Sequence, residues 1–321
     1  MQVAKVREFG GPEVLVTSEE PDPVPGAGEV VIDVVAADVL WVETMIRRGE
    51  GRDYFGVTPP YVPGNGVAGR VRAVGDGVDQ RWVGREVVAH TGERGGYAEQ
   101  VRVAVQKLSP VSDGLALPEA AALLHDGLTA LALFEGTAIG SEDVVLVVGA
   151  SGGLGIASVQ LARTRAARAV AREEGKLARV RQLGADAVID SETPDWVEQA
   201  RRALGGEGAT VILDNIGGQV GTAAFSLIAP GGRFSAHGTP SGQFTKIDPA
   251  EAERRRVTVR GIRDVQLDDH DIKRLTEQAL AEGAAGHLRP VIGQTFPLSR
   301  AAAAHAAIEA RTVFGKTLLR P

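Results

Sequence analysis

Val144-Val145-Leu146-Val147-Val148-Gly149-Ala150-Ser151-Gly152-Gly153-Leu154-Gly155 runs from a wholly apolar segment through a turn of small residues into helix formers. A short continuous apolar run reads as a strand buried on both faces. Strand, glycine turn and helix in that order let a backbone approach a pyrophosphate, with the free N–H groups of the helix start facing its charge. The glycines fall at the first, fourth, fifth and seventh positions of the turn, so the simple dinucleotide fingerprint is not met. No lysine lies in the turn, which excludes a triphosphate-cradling loop. The bland alternative is a tight turn without a ligand. The segments that follow favour the nucleotide: apolar strands near 169–172, 187–190, 211–214, 233–236 and 257–262 alternate with helices expected over 154–162, 174–183, 197–204 and 223–228. That alternation predicts a doubly wound parallel sheet covered on both faces.

Before residue 118 the pattern differs. Segments 3–9, 29–36, 67–74, 86–90 and 99–105 are short, apolar or alternating, and bounded by glycine or proline, which suggests a barrel-like β domain. A helix is expected over 120–134. Helices near 269–282 and 299–310 and a strand near 316–319 close the chain without extending the repeat.

Composition narrows the chemistry. The 321 residues include 41 glycines and no cysteine, which removes disulfides, thiolate zinc sites, iron–sulfur clusters and any cysteine nucleophile. A net charge of -6 disfavours nucleic acid. The start lacks a signal-peptide pattern, and apolar runs are interrupted before the roughly 18 residues of a membrane span. A cytoplasmic protein without membrane or nucleic-acid partners is the expectation.

Within the sheet, the second strand should end near the adenine ribose. There the chain reads Arg172-Glu173-Glu174-Gly175-Lys176. Arg172 and Lys176 suit a 2′-phosphate, which favours NADPH; the two glutamates, if they faced the ribose, would favour NADH, and a solvated charge run is the third reading. Ligands bind beyond the carboxyl ends of such strands. Asn215 and Gly238 stand there, Asn215 as a candidate for ribose or carboxamide, and Gly238 as a place where backbone can lie close to nicotinamide. The cofactor set is thus Gly149, Ser151, Gly152, Gly153, Leu154, Gly155, Arg172, Lys176, Asn215 and Gly238.

Several further motifs resemble those of the medium-chain dehydrogenase/reductase superfamily, and in particular its zinc-independent, zeta-crystallin-like quinone oxidoreductases. They are Gly10-Gly11-Pro12-Glu13-Val14-Leu15, Val42-Glu43-Thr44-Met45-Ile46-Arg47-Arg48-Gly49, Pro60-Tyr61-Val62-Pro63-Gly64, Gly95-Gly96-Tyr97-Ala98-Glu99, Gly127-Leu128-Thr129-Ala130, Leu183-Gly184-Ala185-Asp186, Pro230-Gly231-Gly232-Arg233 and Gly315-Lys316-Thr317-Leu318-Leu319. The resemblance spans essentially the whole chain. It implies a GroES-like, mainly β catalytic domain of residues 1–124 and 262–321, with a Rossmann domain of residues 125–261 inserted. It also implies a nicotinamide site between the domains and a homodimer joined at the sheet edge formed by 257–262. It adds Thr129 to the cofactor set.

Zinc-dependent relatives use cysteines, which this chain lacks. The implied reaction is therefore a metal-free and flavin-free hydride transfer from NADPH to a small electron-poor acceptor, a quinone. The alternatives are reduction of an activated alkenal, enone or enoyl thioester, or cofactor binding without turnover. The acceptor pocket differs from relatives: Leu40 replaces a common asparagine, Met45 a tyrosine, and Gly66 an acidic residue, with Asn65 before it. The segment 50–56 is longer than usual. Leu40, Trp41, Met45, Tyr54, Phe55 and Asn65 are the expected wall, each with core or loop packing as its alternative. No catalytic residue is assigned. His125-Asp126 is a candidate polar pair; His125 is a candidate proton donor but more simply a structural histidine, and the same holds for His237.

Overall fold

The computed structural model describes residues 1–92, 94–165, 168–173, 176–190 and 193–321, without the side chains of 170–173. The chain divides into two compact units. Unit 1 comprises Met1–His125, Thr276–Ala285 and Pro290–Pro321, and unit 2 comprises Asp126–Leu275 and Gly286–Arg289.

Unit 1 begins with β1 (Gln2–Val6) and β2 (Leu15–Glu19), an antiparallel pair. Next come β3 (Glu29–Val39), helix α1 (Trp41–Arg48), the single turn α2 (Arg52–Phe55), β4 (Gly66–Val74), β5 (Glu86–His90), β6 (Gln100–Ala104) and β7 (Leu108–Pro110). The 11-residue β3 organises this sheet: it pairs antiparallel with β4 and β6. Its alternating valines and isoleucine bury Val30, Ile32 and Val34 in the core with Val67, Val87 and Val101. The break from strand to helix after Val39 has a local cause. Leu40 is extended, and the Glu43 carboxylate accepts the Leu40 N–H at 2.9 Å, capping α1. Gly49, at φ 81°, ends it.

The 20-residue α3 (Leu117–Gly136) leads into unit 2. It has the length and apolarity of a membrane span, but 72% of its most apolar stretch is buried inside the protein, the position of a core helix. Unit 2 then alternates β8 (Val144–Val148), α4 (Gly153–Thr164), β9 (Arg168–Glu173), α5 (Leu177–Gln182), β10 (Ala187–Asp190), α6 (Trp196–Ala203), β11 (Ala209–Asp214), α7 (Gly218–Phe225), β12 (Ile228–Ala236), α8 (Pro249–Arg254) and β13 (Thr258–Gly261). All pairings are parallel, in the order β10-β9-β8-β11-β12-β13. Numbered within the sheet this is 3-2-1-4-5-6, the doubly wound dinucleotide order with β8 at the switch point. Two expected boundaries shift. The helix expected at 174–183 is described only as Leu177–Gln182, since Glu174 and Gly175 lie outside the described residues. The helix expected at 223–228 starts earlier and stops at Phe225, because Ile228 is taken into the ladder opposite Ala209.

Helix α9 (Asp269–Ala284) is followed by β14 (Ile292–Pro297), α10 (Ala301–Glu309) and β15 (Lys316–Arg320). β15 pairs antiparallel with the end of β3, Leu318 opposite Asp38, so the chain's last strand completes the sheet of unit 1. Ala301, Ala304 and His305 bury one face of α10, and Ala301 and Ala304 join the core of that unit.

Candidate functional site

In unit 2, residues 149–155, Asn215 and Gly238 follow the carboxyl ends of β8, β11 and β12. Val145–Val148 are fully buried, and the chain leaves β8 at Gly149 with φ 77°, a conformation that costs a residue with a Cβ. A Cβ at Gly149 would also stand 2.7 Å from the Ile216 side chain. Gly155, in the first turn of α4, is constrained more severely. Its Cβ would lie 2.2 Å from the Gly149 carbonyl oxygen and 2.7 Å from the Ala150 Cα, so glycine permits this close packing of helix on turn. Gly152 is the converse: its φ is -76°, and nothing lies within 4 Å of the Cβ position. The turn is tight toward the protein and open on the side of Gly152, beside the start of a 12-residue helix. That fits a pyrophosphate. Ser151, Gly153 and Leu154 complete the turn and open the helix.

The neighbouring strand ends are tied together. Asn215 donates from Nδ2 to the Val148 carbonyl at 2.9 Å, and its Oδ1 is 2.8 Å from His237 Nε2. The other His237 nitrogen meets Ser235 at 3.0 Å. Burial holds the His237 pKa down to about 4, so the ring is neutral at pH 7 and Nε2–H donates to Asn215. Asn215 thereby fixes the carbonyl just before Gly149, with both ends of its amide engaged. His237 is the structural histidine expected. Gly238 lets the β12 end pass Asn215: a Cβ there would lie 2.0 Å from the Asn215 carbonyl carbon. Arg172 pairs by backbone with Val148, on the same edge of the sheet as the turn, but its side chain lies outside the described residues. Lys176 is half-buried at the start of α5, and Thr129 is half-buried on α3.

In unit 1, Glu43 joins two of the expected pocket residues. Its carboxylate accepts the Leu40 N–H, the Asn65 N–H at 2.9 Å, and the Tyr97 hydroxyl at 2.6 Å. Trp41 is half-buried between the guanidinium groups of Arg48 and Arg311, at 5.8 and 5.5 Å from its ring. Met45 is half-buried on α1, and Phe55 packs on the core of unit 1. Tyr54 is 62% exposed, edge-on to Phe55.

Sequence reading missed the network behind Glu43. The Tyr97 oxygen is 3.0 Å from His305 Nε2, His305 Nδ1 is 3.5 Å from Arg47 Nη1, and Arg47 reaches Glu309 at 2.6 Å. One proton arrangement satisfies every member. Arg47 donates to Nδ1, the neutral His305 donates from Nε2 to Tyr97, and Tyr97 donates to Glu43. Burial first, then Arg47 and Arg48, push the His305 pKa down to about 3.

A second buried cluster corrects the expected His125-Asp126 pair. His125 Nδ1 lies 2.7 Å from Oδ2 of Asp38, which Lys316 also approaches at 3.4 Å. Residues adjacent on a helix point about 100° apart and do not face each other, whereas β3 runs alongside. Burial pushes the Asp38 pKa up, but His125 and Lys316 more than offset this and hold it below the usual range. The signal in the sequence was a carboxylate, Asp38, inside the apolar run that ends β3.

Glu43 also gives a pH signature. Burial, then Asp38, raises its pKa to about 7 from 4.5. Between those values the folded protein holds a proton that the unfolded chain releases. Its stabilising contribution is thus complete below about pH 4.5 and lost as pH rises through about 7. His90, His237 and His305, at about 3, 4 and 3, act oppositely: their contribution is present above about 6.5 and fades as pH falls toward those values. Glu43→Gln should therefore gain stability relative to the parent as pH rises from 5 to 8. Urea midpoints across that range check it, and parallel curves would refute the assignment.

Among the described residues, Asp268, His270 and Asp271 bring potential metal ligands together, but Asp268 is occupied in accepting the Asp271 N–H at the start of α9, and His270 is exposed.

The chain is similar to known proteins over most of its length. Residues 26–113 match the family described as "Alcohol dehydrogenase GroES-like domain", and residues 183–319 match "Zinc-binding dehydrogenase". A quinone oxidoreductase of Rattus norvegicus is 32% identical over 95% of this chain and 93% of its own. Two solved structures are similar over 100% of both chains: an NAD-dependent alcohol dehydrogenase, 31% identical with a TM-score of 0.90, and a mycobacterial protein complexed with NADPH, 28% identical with a TM-score of 0.89.

Proposed function

The chain belongs to the medium-chain dehydrogenase/reductase superfamily, in its zinc-independent quinone-oxidoreductase-like family, and from this we propose that it reduces a quinone with NADPH, without metal or flavin. The observation that carries this reading is the pairing of a strand–glycine turn–helix open at Gly152 with a chain that has no cysteine. A carbonyl substrate without such help would need a Lewis acid, whereas a quinone ring delocalises the developing charge itself. The cofactor supplies the hydride; the protein binds and orients it. Gly152 leaves room for the pyrophosphate beside the α4 N-terminus, and Gly149 and Gly155 hold the turn against the helix. Asn215 and Gly238 shape the neighbouring strand ends, and Thr129 is assigned to the nicotinamide by the family resemblance. Leu40, Trp41, Met45, Tyr54, Phe55 and Asn65 form the acceptor side. The apolar members, Leu40, Trp41, Met45 and Phe55, favour a flat, bulky acceptor.

Residues 1–124 with 262–321 form the substrate domain of this reading, and 125–261 the cofactor domain. A cytoplasmic homodimer paired along β13 accords with Val259 and Ile262, which are 40% and 39% exposed at that sheet edge. The test is NADPH consumption with 1,4-naphthoquinone, 2-cyclohexenone and crotonyl-CoA. Turnover restricted to the two alkenes would replace the quinone reading. Tight NADPH binding without turnover would make the chain a binding protein.

Arg172 and Lys176 are assigned to the 2′-phosphate. Arg172→Ala should weaken NADPH binding by about 10- to 100-fold, the loss of one charge-assisted hydrogen bond, with little change for NADH. Titration of both cofactors by nicotinamide fluorescence measures this. Equal losses for the two would remove Arg172 from the phosphate site.

A further inference from the structure

The six histidines fall into distinct environments. His237 and His305 are buried and His90 is half-buried; all three are held neutral, each spent on local partners: Asn215 with Ser235, Tyr97 with Arg47, and Thr276. His270 and His287 are exposed. His125 has a ring nitrogen 2.7 Å from the fully buried carboxylate of Asp38, while its own side chain stays 17% exposed. With Asp38 ionised, Nδ1 must be the N–H donor of that bond. This fixes the ring and leaves Nε2 as the nitrogen that exchanges a proton. Asp38 has a second, unspent feature. Its Oδ1 is buried without a partner, and the Cβ position of Gly66 lies 3.2 Å from it and 2.7 Å from His125 Cε1. A carboxylate so held is a poor proton acceptor and a strong orienting charge.

The dyad also neighbours, along the chain, two residues assigned above to the acceptor. Asp38 lies two residues before Leu40 on the same strand end, and Gly66 directly follows Asn65; both neighbours belong to the acceptor side of unit 1. We propose that His125, oriented by Asp38, is the catalytic acid that protonates the reduced acceptor. The hydride brings two electrons to the acceptor and oxidises NADPH to NADP⁺, leaving the acceptor as an oxyanion. The His125 Nε2–H bond breaks as the acceptor O–H bond forms. The imidazole is left neutral, still donating from Nδ1 to Asp38, and takes a proton from solvent to complete the cycle. Lys316, on β15, keeps Asp38 charged throughout. His90, from β5, packs edge-on to His125 at 4.9 Å and stays neutral, so it does not compete for the proton. Glu43, from α1, and Tyr97 also feel the Asp38 charge, and the two are hydrogen-bonded to each other in their own network.

This inference rests on the reductase reading, and the experiment separates the two. His125→Ala and His125→Gln are compared with the parent protein in NADPH binding, and in kcat with 1,4-naphthoquinone and 2-cyclohexenone from pH 5 to 9. The expected result is unchanged NADPH affinity with kcat lower by about 100-fold or more. The parent's decline in kcat toward high pH should be absent in both variants, and added imidazole should restore turnover to His125→Ala but not to His125→Gln, which has no cavity for it. Asp38→Asn should lower kcat while retaining the pH limb. An active parent with variants of equal kcat and pH profile would overturn the role of His125 alone. A parent inactive with every acceptor would overturn the reductase reading and this proposal with it.

Discussion

Gly155→Ala is expected to weaken NADPH binding by 100-fold or more, about 2.7 kcal/mol, and to lower thermal stability as well. The added methyl would stand 2.2 Å from the Gly149 carbonyl oxygen and 2.7 Å from the Ala150 Cα. Both are backbone atoms, so no rotamer change relieves the overlap. Either α4 moves away from β8 or the turn deforms, and in each case the N–H groups at the helix start lose their aim. Gly152→Ala separates the two consequences. Its backbone is already extended and its Cβ position is open. Folding should be untouched, while binding weakens because the methyl enters the space assigned to the pyrophosphate. Calorimetric titration with NADPH and thermal melts of both variants give the comparison. Native affinity in Gly152→Ala would place the pyrophosphate elsewhere, and native affinity and melting in Gly155→Ala would disprove the close-packing argument.

The parallel sheet was legible because burial on both faces leaves a continuous apolar run, as in Val144–Val148, that needs no partner to be recognised. Elements buried on one face left a weaker trace. The helix Trp41–Arg48 carries Glu43 and Arg47 on its buried side, so its polar residues disguised an inward face. β14 alternates between half-buried and exposed residues and was passed over beside the stronger β15. The cofactor turn was legible as a local motif. The acid–base groups of unit 1 were not, because their partners lie far apart in sequence: Tyr97 meets His305 across 208 residues, and Asp38 meets His125 across 87. Only the fold of β3 against β15 and the α3 helix brings them together. A charged residue in an apolar run, such as Asp38, is the available signal that a distant partner exists.

Arg47→Met tests how far that long-range network holds unit 1 together, and a loss of about 3 kcal/mol in unfolding free energy is expected. Arg47 is fully buried and serves three partners: the Gly10 carbonyl at 3.1 Å, His305 Nδ1, and Glu309. Methionine fills much of the volume but leaves the first two unpaired in an apolar surrounding. Glu309 retains Arg48 at 2.6 Å and is 22% exposed, so its charge is not stranded, and the cost falls at the lower end of that for breaking a buried ion pair. The deficit should also depend on pH. His305 is held neutral by burial and by Arg47, and its contribution in the parent fades as pH falls from about 6.5 toward 3. Without Arg47 the imidazole takes up a proton more readily in the fold, so the variant loses less on acidification. The difference between parent and variant is therefore largest near pH 7.5 and narrower at pH 4.5. Urea unfolding at those two values decides it. A deficit below about 1 kcal/mol would mean that the network is replaceable by packing, and an equal deficit at both values would mean that Arg47 does not set the charge of His305.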